Sequence, residues 1–241
     1  LVASGLDYSS ALNLIGRFNG MALTIVTFPL IVVNSINTLL VPDLSQSISN
    51  SDYYNASVRI KTVLKIAFLL GMATTVICQL IPDSLGQMFY KRDDLGLYIR
   101  LASLSAPIFF VANTMFGILN GLNRQSIILR NSIIISITEI VCLYIFTAIP
   151  SINIFSYVIT IFVTSTLGLI INLHEVNKHI ELNLSLFNII IFILTGILVY
   201  LMLNLFTNRL LDGLFISKNI IVIVLTFGIF AYLSRFGLEE D

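Results

Sequence analysis

The sequence predicts an all-α integral membrane protein of about seven transmembrane helices, and three observations carry that expectation. Of its 241 residues, 57% are hydrophobic and only 11% are charged, against roughly 45–50% and 25% in soluble domains. Mean hydropathy is +0.96. The apolar residues gather into runs near the roughly 20 residues that cross a hydrocarbon core, parted by short polar or proline-bearing links.

Thirteen basic and thirteen acidic residues cancel, which leaves no basic excess for nucleic acid and no polybasic lipid-binding tail. Cys78 and Cys142 lie inside apolar runs without metal-ligand spacing and read as packing residues. The chain begins at Leu1 with neither Met nor a charged-then-apolar leader, so it is expected to be part of a longer protein.

Residues 1–16, with Asp7, Ser9, Ser10 and Asn13, are too polar to span and read as a loop or surface helix. The first span covers 17–41 and is expected to end at Pro42, followed by a short interfacial segment over 43–54. The second covers 61–81 and is closed by Pro82. The stretch DSLGQMFYKRDDLG is amphipathic and too charged to insert. The third span covers 98–122 with Pro107 inside it, the fourth 127–149 with Pro150 at its end, and the fifth 154–173. A polar link, HEVNKHIELN, leads to the sixth at 186–206 and the seventh at 219–233, before Glu239, Glu240 and Asp241. This divides the chain into 1–16, a five-span unit over 17–173, and a link with a final helix pair over 174–241.

Basic residues orient the chain weakly. Arg59, Lys61, Lys65, Arg124, Arg130, Lys178 and Arg235 fall on the side where the first span ends, and Arg17, Lys91, Arg92, Arg100, Arg209 and Lys218 on the other. Seven against six places the first side in the cytoplasm.

Several polar residues within the spans are candidates for function. In the first span Thr27, Asn34 and Thr38 fall within about 40° of one another on a helical wheel, with Asn37 about 60° to one side. Unsatisfied polar groups are costly in hydrocarbon, so this stripe should face other helices or a wet cavity. In the third span Ala102, Ala106, Asn113, Gly117 and Asn120 share a face; it reads either as close helix packing or as cavity lining. Glu139 is the one charged residue near the middle of a span, and Ser132 and Ser136 share its face while Arg130 points away. Pro29 and Pro107 each remove a backbone donor within a span and are hinge candidates. His174, Glu175 and His179 lack the spacing of a zinc-binding helix and read as a solvated loop. Asn55-Ala56-Ser57 and Asn183-Leu184-Ser185 match the glycosylation triplet, which carries no weight without a compartment. No catalytic residue, metal or cofactor is expected.

Three stretches carry a family resemblance. GMALTIVTFPLIVVNSINTLLVPDLSQS resembles the eighth-helix motif of the stage V sporulation protein B family, with its Gly-Met-Ala opening, mid-helix Pro and Val-Pro-x-x-Ser exit. FGILNGLNRQSIILRN resembles that family's junction of the tenth and eleventh helices, and IPSINIFSYVITIFVTSTLGLIINL its Pro-x-Ile-Asn-Ile turn and twelfth helix. The family sits in the polysaccharide-transport branch of the multidrug, oligosaccharidyl-lipid and polysaccharide exporters and is similar to the lipid II flippase.

The resemblance implies about fourteen helices in two six-helix lobes, often with a final pair. The present spans would be helices eight to twelve plus that pair, with the N-terminal lobe and helix seven as an absent partner. It also places the end of the first span in the cytoplasm. In lipid II flippases basic cavity residues hold the lipid pyrophosphate. No Lys or Arg lies deep in these spans, and Arg17 and Arg124 at span ends are the nearest candidates.

The expected function is movement of a lipid-linked cell-wall precursor, peptidoglycan or polysaccharide, across the bacterial cytoplasmic membrane by alternating access, in spore cortex formation. The expected partners are the lipid-linked glycan precursor, membrane lipid and the absent lobe. Two alternatives stand beside it: a cation-coupled small-molecule exporter using Glu139, and a membrane transferase acting on a lipid carrier. A non-transporting scaffold for cell-wall synthases is a further reading.

Overall fold

A computed structural model describes residues 7–149, 152, 154–182, 185–210 and 215–235. Pro150, Asn183, Leu184 and the acidic residues Glu239, Glu240 and Asp241 lie outside the described residues. Every regular element among the described residues is a helix. Five helices are each long and apolar enough to cross a membrane, and two bent pairs raise the number to seven when each pair counts as one span. The protein is thus an all-α, multi-pass membrane protein, as its composition predicts.

The first bent span starts inside the stretch expected to be a polar loop or surface helix. Tyr8–Ile15 (α1), with Asp7 as its N-cap, runs on through a π-helical stretch, Gly16–Ala22, into Leu23–Thr27 (α2). After Phe28 and Pro29 the chain turns by 56° into Leu30–Ser49 (α3). Pro42 does not end this helix. It sits inside α3, leaving the Thr38 carbonyl without its usual donor. Tertiary contacts carry the helix through: Leu44 is fully buried and the Ser45 hydroxyl donates to the Gly121 carbonyl at 3.0 Å. The turn comes at Ser51, whose φ is 59°.

The second span, Tyr53–Leu80 (α4), also starts earlier than expected, because Asp52 caps it by accepting from the Asn55 backbone N–H. The segment read as interfacial is therefore the last turns of α3 and the first of α4. The capping signal Asp52-Tyr53-Tyr54-Asn55 is local and was readable in the sequence. Pro82 opens Pro82–Tyr90 (α5), where its missing N–H is harmless. The chain then reverses through Lys91, at φ 54°.

The third span is broken in two, Gly96–Ser103 (α6) and Ala106–Gly121 (α7), bent by 55°. Gln125–Thr147 (α8) and Phe155–Asn177 (α9) follow, then Leu186–Leu210 (α10) and Phe215–Arg235 (α11). The fifth span thus runs further than expected and takes in His174 and Glu175.

The helix α4 is the axis of the molecule and is largely buried, whereas α8 has Asn131 as its one fully buried residue among those described. One apolar cluster joins Phe18, Ile25, Ile99 and Phe110, and a second, toward the other end, joins Leu44, Ile60, Ile118 and Val176. A third seats α10 and α11 on α4 through Met72, Val76, Val199 and Phe230. Cys78 is buried and Cys142 half-buried, both as free thiols. The exposed surface is rich in Ile, Leu and Val, as a lipid-facing surface requires.

Candidate functional site

The two bends lie side by side. Asn113 donates from Nδ2 to Asn34 Oδ1 at 2.8 Å, a Cβ on Gly117 would lie 2.9 Å from Asn37 Cβ, and one on Gly121 would lie 2.8 Å from Leu44 Cβ. Contacts at 34/113, 37/117 and 44/121 mean that α3 and α7 run parallel with a nearly constant offset. That offset carries the break at 28–29 to within about one helical turn of the break at 104–105. Asn34 and Asn37 of the first span therefore meet Asn113 and Gly117 of the third along one seam, while Thr38 of the same stripe stays exposed and bonds its own backbone. Glycines at 117 and 121 allow this approach, since a side chain at either position would collide with α3. Asn37 is buried against Gly117 with its Oδ1 unpaired among the described residues, while Asn120 is exposed.

Each bend frees backbone groups that must be satisfied in a membrane. Pro107 has no N–H, so the Ser103 carbonyl loses its partner one turn on. The Thr75 hydroxyl on α4 lies 2.7 Å from that oxygen, closer than the Gly71 carbonyl of its own helix at 3.0 Å. Leu104 N–H turns to Leu101, which frees the Arg100 carbonyl. Gln79 Nε2 and Ser103 Oγ both donate to it at 2.8 Å. At the other bend the repair is local: Phe28 N–H bonds Ile25 O at 3.3 Å, and Thr27 Oγ1 reaches the Thr24 carbonyl that this shift frees, at 3.4 Å. Pro29 caps α3 and Pro107 stands in the first turn of α7, so both hinge candidates sit at the breaks.

The two arginines at span ends are engaged. Arg17 pairs with Asp94 at 2.8 Å and donates to Asn13 at 2.9 Å. Asp94, in the link between α5 and α6, also takes a two-pronged contact from Arg92, which holds its carboxyl below the usual carboxylate range. Arg124 lies 3.5 Å from His179 Nδ1. Glu139 and Ser136 point outward on α8, and Ser132 is half-buried beside them.

Among the described residues a five-membered polar network joins α8 to α9 near the seam's far end. Arg130 pairs with Glu175 at 2.6 Å, and Lys178 reaches the same oxygen at 3.2 Å. Arg130 also donates to Asn131, and Asn131 donates to Asn172 at 2.8 Å in a buried contact. Glu175 is therefore an anchored carboxylate on a helix and not part of a solvated loop, since its side chain keeps only 10% of its exposure. A double-mutant cycle on Arg130→Met and Glu175→Gln is expected to give a coupling of about 1–2 kcal/mol in detergent unfolding, between the values of exposed and buried pairs. Additive effects would contradict the pairing.

No protein-family model matches the chain, and no solved structure matches it. Stage V sporulation protein B of Bacillus subtilis (strain 168) is 20% identical to it over 186 residues, which is 77% of this chain and 36% of that protein. This chain is similar to stage V sporulation protein B. The resemblance carried by the three sequence stretches is thereby borne out. The match spans about a third of the relative's length.

Among the candidates read in the sequence, the structure brings together Asn34, Asn37, Asn113 and the two prolines, while Glu139, Ser132 and Ser136 stand apart on α8. The network of Arg130, Asn131, Asn172 and Glu175 escaped sequence reasoning, which set Arg130 apart from Glu139 and placed Glu175 in a solvated loop. The available signal was the i, i+3 spacing of Asn172, Glu175 and Lys178 on one helix face, opposite a helix that carries Arg130 and Asn131 in its second turn.

Proposed function

We propose that this chain is the C-terminal part of a flippase that moves a lipid-linked cell-wall precursor across the cytoplasmic membrane by alternating access, in support of spore cortex synthesis. The observation that supports this most is the similarity to stage V sporulation protein B across most of the chain. The paired bends fit the same reading, because transporters built from lobes tolerate broken helices where other helices re-satisfy the backbone. In this scheme the seam of α3 and α7 with α4 is a rigid wall, held by Asn34, Asn113, Thr75 and Gln79. The absent N-terminal lobe supplies the opposite wall and the groups that hold the pyrophosphate.

Full-length protein in vesicles is then expected to speed translocation of a fluorescent lipid-linked disaccharide over empty vesicles. No acceleration would remove the proposal. A second reading draws on Glu139, whose exposed carboxylate near the middle of α8 is costly against lipid. As a cation-coupled exporter the protein would lose pH-dependent export in Glu139→Gln, whereas the flippase reading requires no such loss.

A further inference from the structure

Beyond the bends and the α8–α9 network, one cleft of about 460 Å³ lies between the first turns of α4 and the link that follows α9. Tyr53, Tyr54, Ser57 and Lys61 line it from α4, and His179 and Glu181 from the link. The link is fastened there by the Ser57 hydroxyl, which donates to the Glu181 carbonyl at 3.3 Å. Arg124 adjoins the cleft through His179, at 3.5 Å.

The length of α4 sets the depth of this cleft. Its 28 residues reach about 42 Å, some 12 Å more than a hydrocarbon core. Its uninterrupted apolar run begins at Ile66, after Lys65, so the turns from Tyr53 to Lys61 stand in the headgroup layer. Tyrosines favour that layer, with rings toward the chains and hydroxyls toward water. Tyr53 and Tyr54 are both more than half exposed, as that placement asks. Lys61 forms no ion pair among the described residues, unlike Lys178, Arg59 and Arg130, which are committed to carboxylates. Lys61 in the lining and Arg124 beside it carry two positive charges against the one of opposite sign on Glu181, the single acidic member of the lining.

We infer that this cleft seats the headgroup of a resident anionic phospholipid, with the phosphate held by Lys61 and His179 and the glycerol and upper chains against Tyr53 and Tyr54. Basic recesses between spans at an interface suit such headgroups, and each basic group near the surface contributes roughly fivefold in affinity. The assignment is independent of what the protein transports, because it concerns a lipid that stays in place.

Native mass spectrometry of the full-length protein, released from neutral detergent with equal phosphatidylglycerol and phosphatidylcholine, tests it. The phosphatidylglycerol adduct is expected to exceed the phosphatidylcholine adduct at least about fivefold. Lys61→Gln with His179→Gln should reduce it to the phosphatidylcholine level, while Lys91→Asn, at the opposite end of the molecule, leaves it unchanged. Lys61→Arg should retain the preference, and its comparison with Lys61→Gln carries the test if the double variant does not fold. Equal adducts for the two lipids, or a preference that survives loss of both basic groups, would overturn the inference. Displacement of the lipid by soluble glycerol phosphate at matched concentration would overturn the lipid assignment in favour of a free phosphate ester.

Discussion

Replacing Gly71 with valine is expected to force α4 away from the bend in the third span and to give one of the largest losses of stability in the molecule. A Cβ at position 71 would lie 2.6 Å from Pro107 Cα and 2.9 Å from both Ala106 O and Pro107 N. All three are backbone atoms, so no rotamer change relieves the clash. Overpacking costs about 1–3 kcal/mol where side chains can shift, and this site belongs at the upper end. In a chain of this size that corresponds to a fall of roughly 6–12 °C in unfolding midpoint. Gly71→Ala should fall between valine and the parent, since alanine's better helix propensity offsets only about 1 kcal/mol. Detergent-solubilised thermal unfolding reads the series, and an unchanged midpoint for valine would mean that α4 does not touch the bend.

Thr75→Val is expected to be the costliest near-isosteric change. It keeps the shape of the side chain and deletes the hydroxyl that lies 2.7 Å from the Ser103 carbonyl. That oxygen has lost its helical partner to Pro107, so a buried acceptor is left unpaired at about 1–3 kcal/mol. Gln79→Leu should cost less, because Ser103 Oγ still donates to Arg100 O after Gln79 is gone. A control variant, Pro107→Ala, returns an N–H to the Ser103 carbonyl and is expected to blunt the effect of Thr75→Val. Equal losses from Thr75→Val in the parent and in Pro107→Ala would show that the hydroxyl does not serve the freed carbonyl.

These two cases also mark where sequence reasoning ends. Hydrophobic runs of near-constant length made the class and the number of spans legible, because a bilayer imposes that length on any helix. Pro29 and Pro107 were legible as bends, because a missing N–H has the same consequence in every helix. Pro42 was misleading: the contacts of Leu44 and Ser45 with Gly121, 76 or more residues away, hold the helix together past it. The stripe with Asn34 and the face with Gly117 were each visible, but their mutual fit depends on the register of two helices, which no single helix encodes. Glu175 was hidden for the same reason, since its partner Arg130 lies 45 residues away on another helix.

In the proposed flippase the seam of α3 and α7 behaves as one rigid wall while the lobes rock. Oxidation of an Asn37→Cys, Gly117→Cys pair, with Cys78 and Cys142 replaced by alanine, joins the two helices where a Cβ at 117 would lie 2.9 Å from that of Asn37. The approach is slightly closer than the roughly 3.5–4.5 Å between Cβ atoms in a disulfide, so a small shift accommodates the bond. The deciding measurement is lipid-linked disaccharide translocation by the full-length protein in vesicles before and after this oxidation. With a rigid seam the bond is expected to form and the rate to stay unchanged; a cross-linked protein that stalls, and recovers on reduction, would contradict the rigid seam.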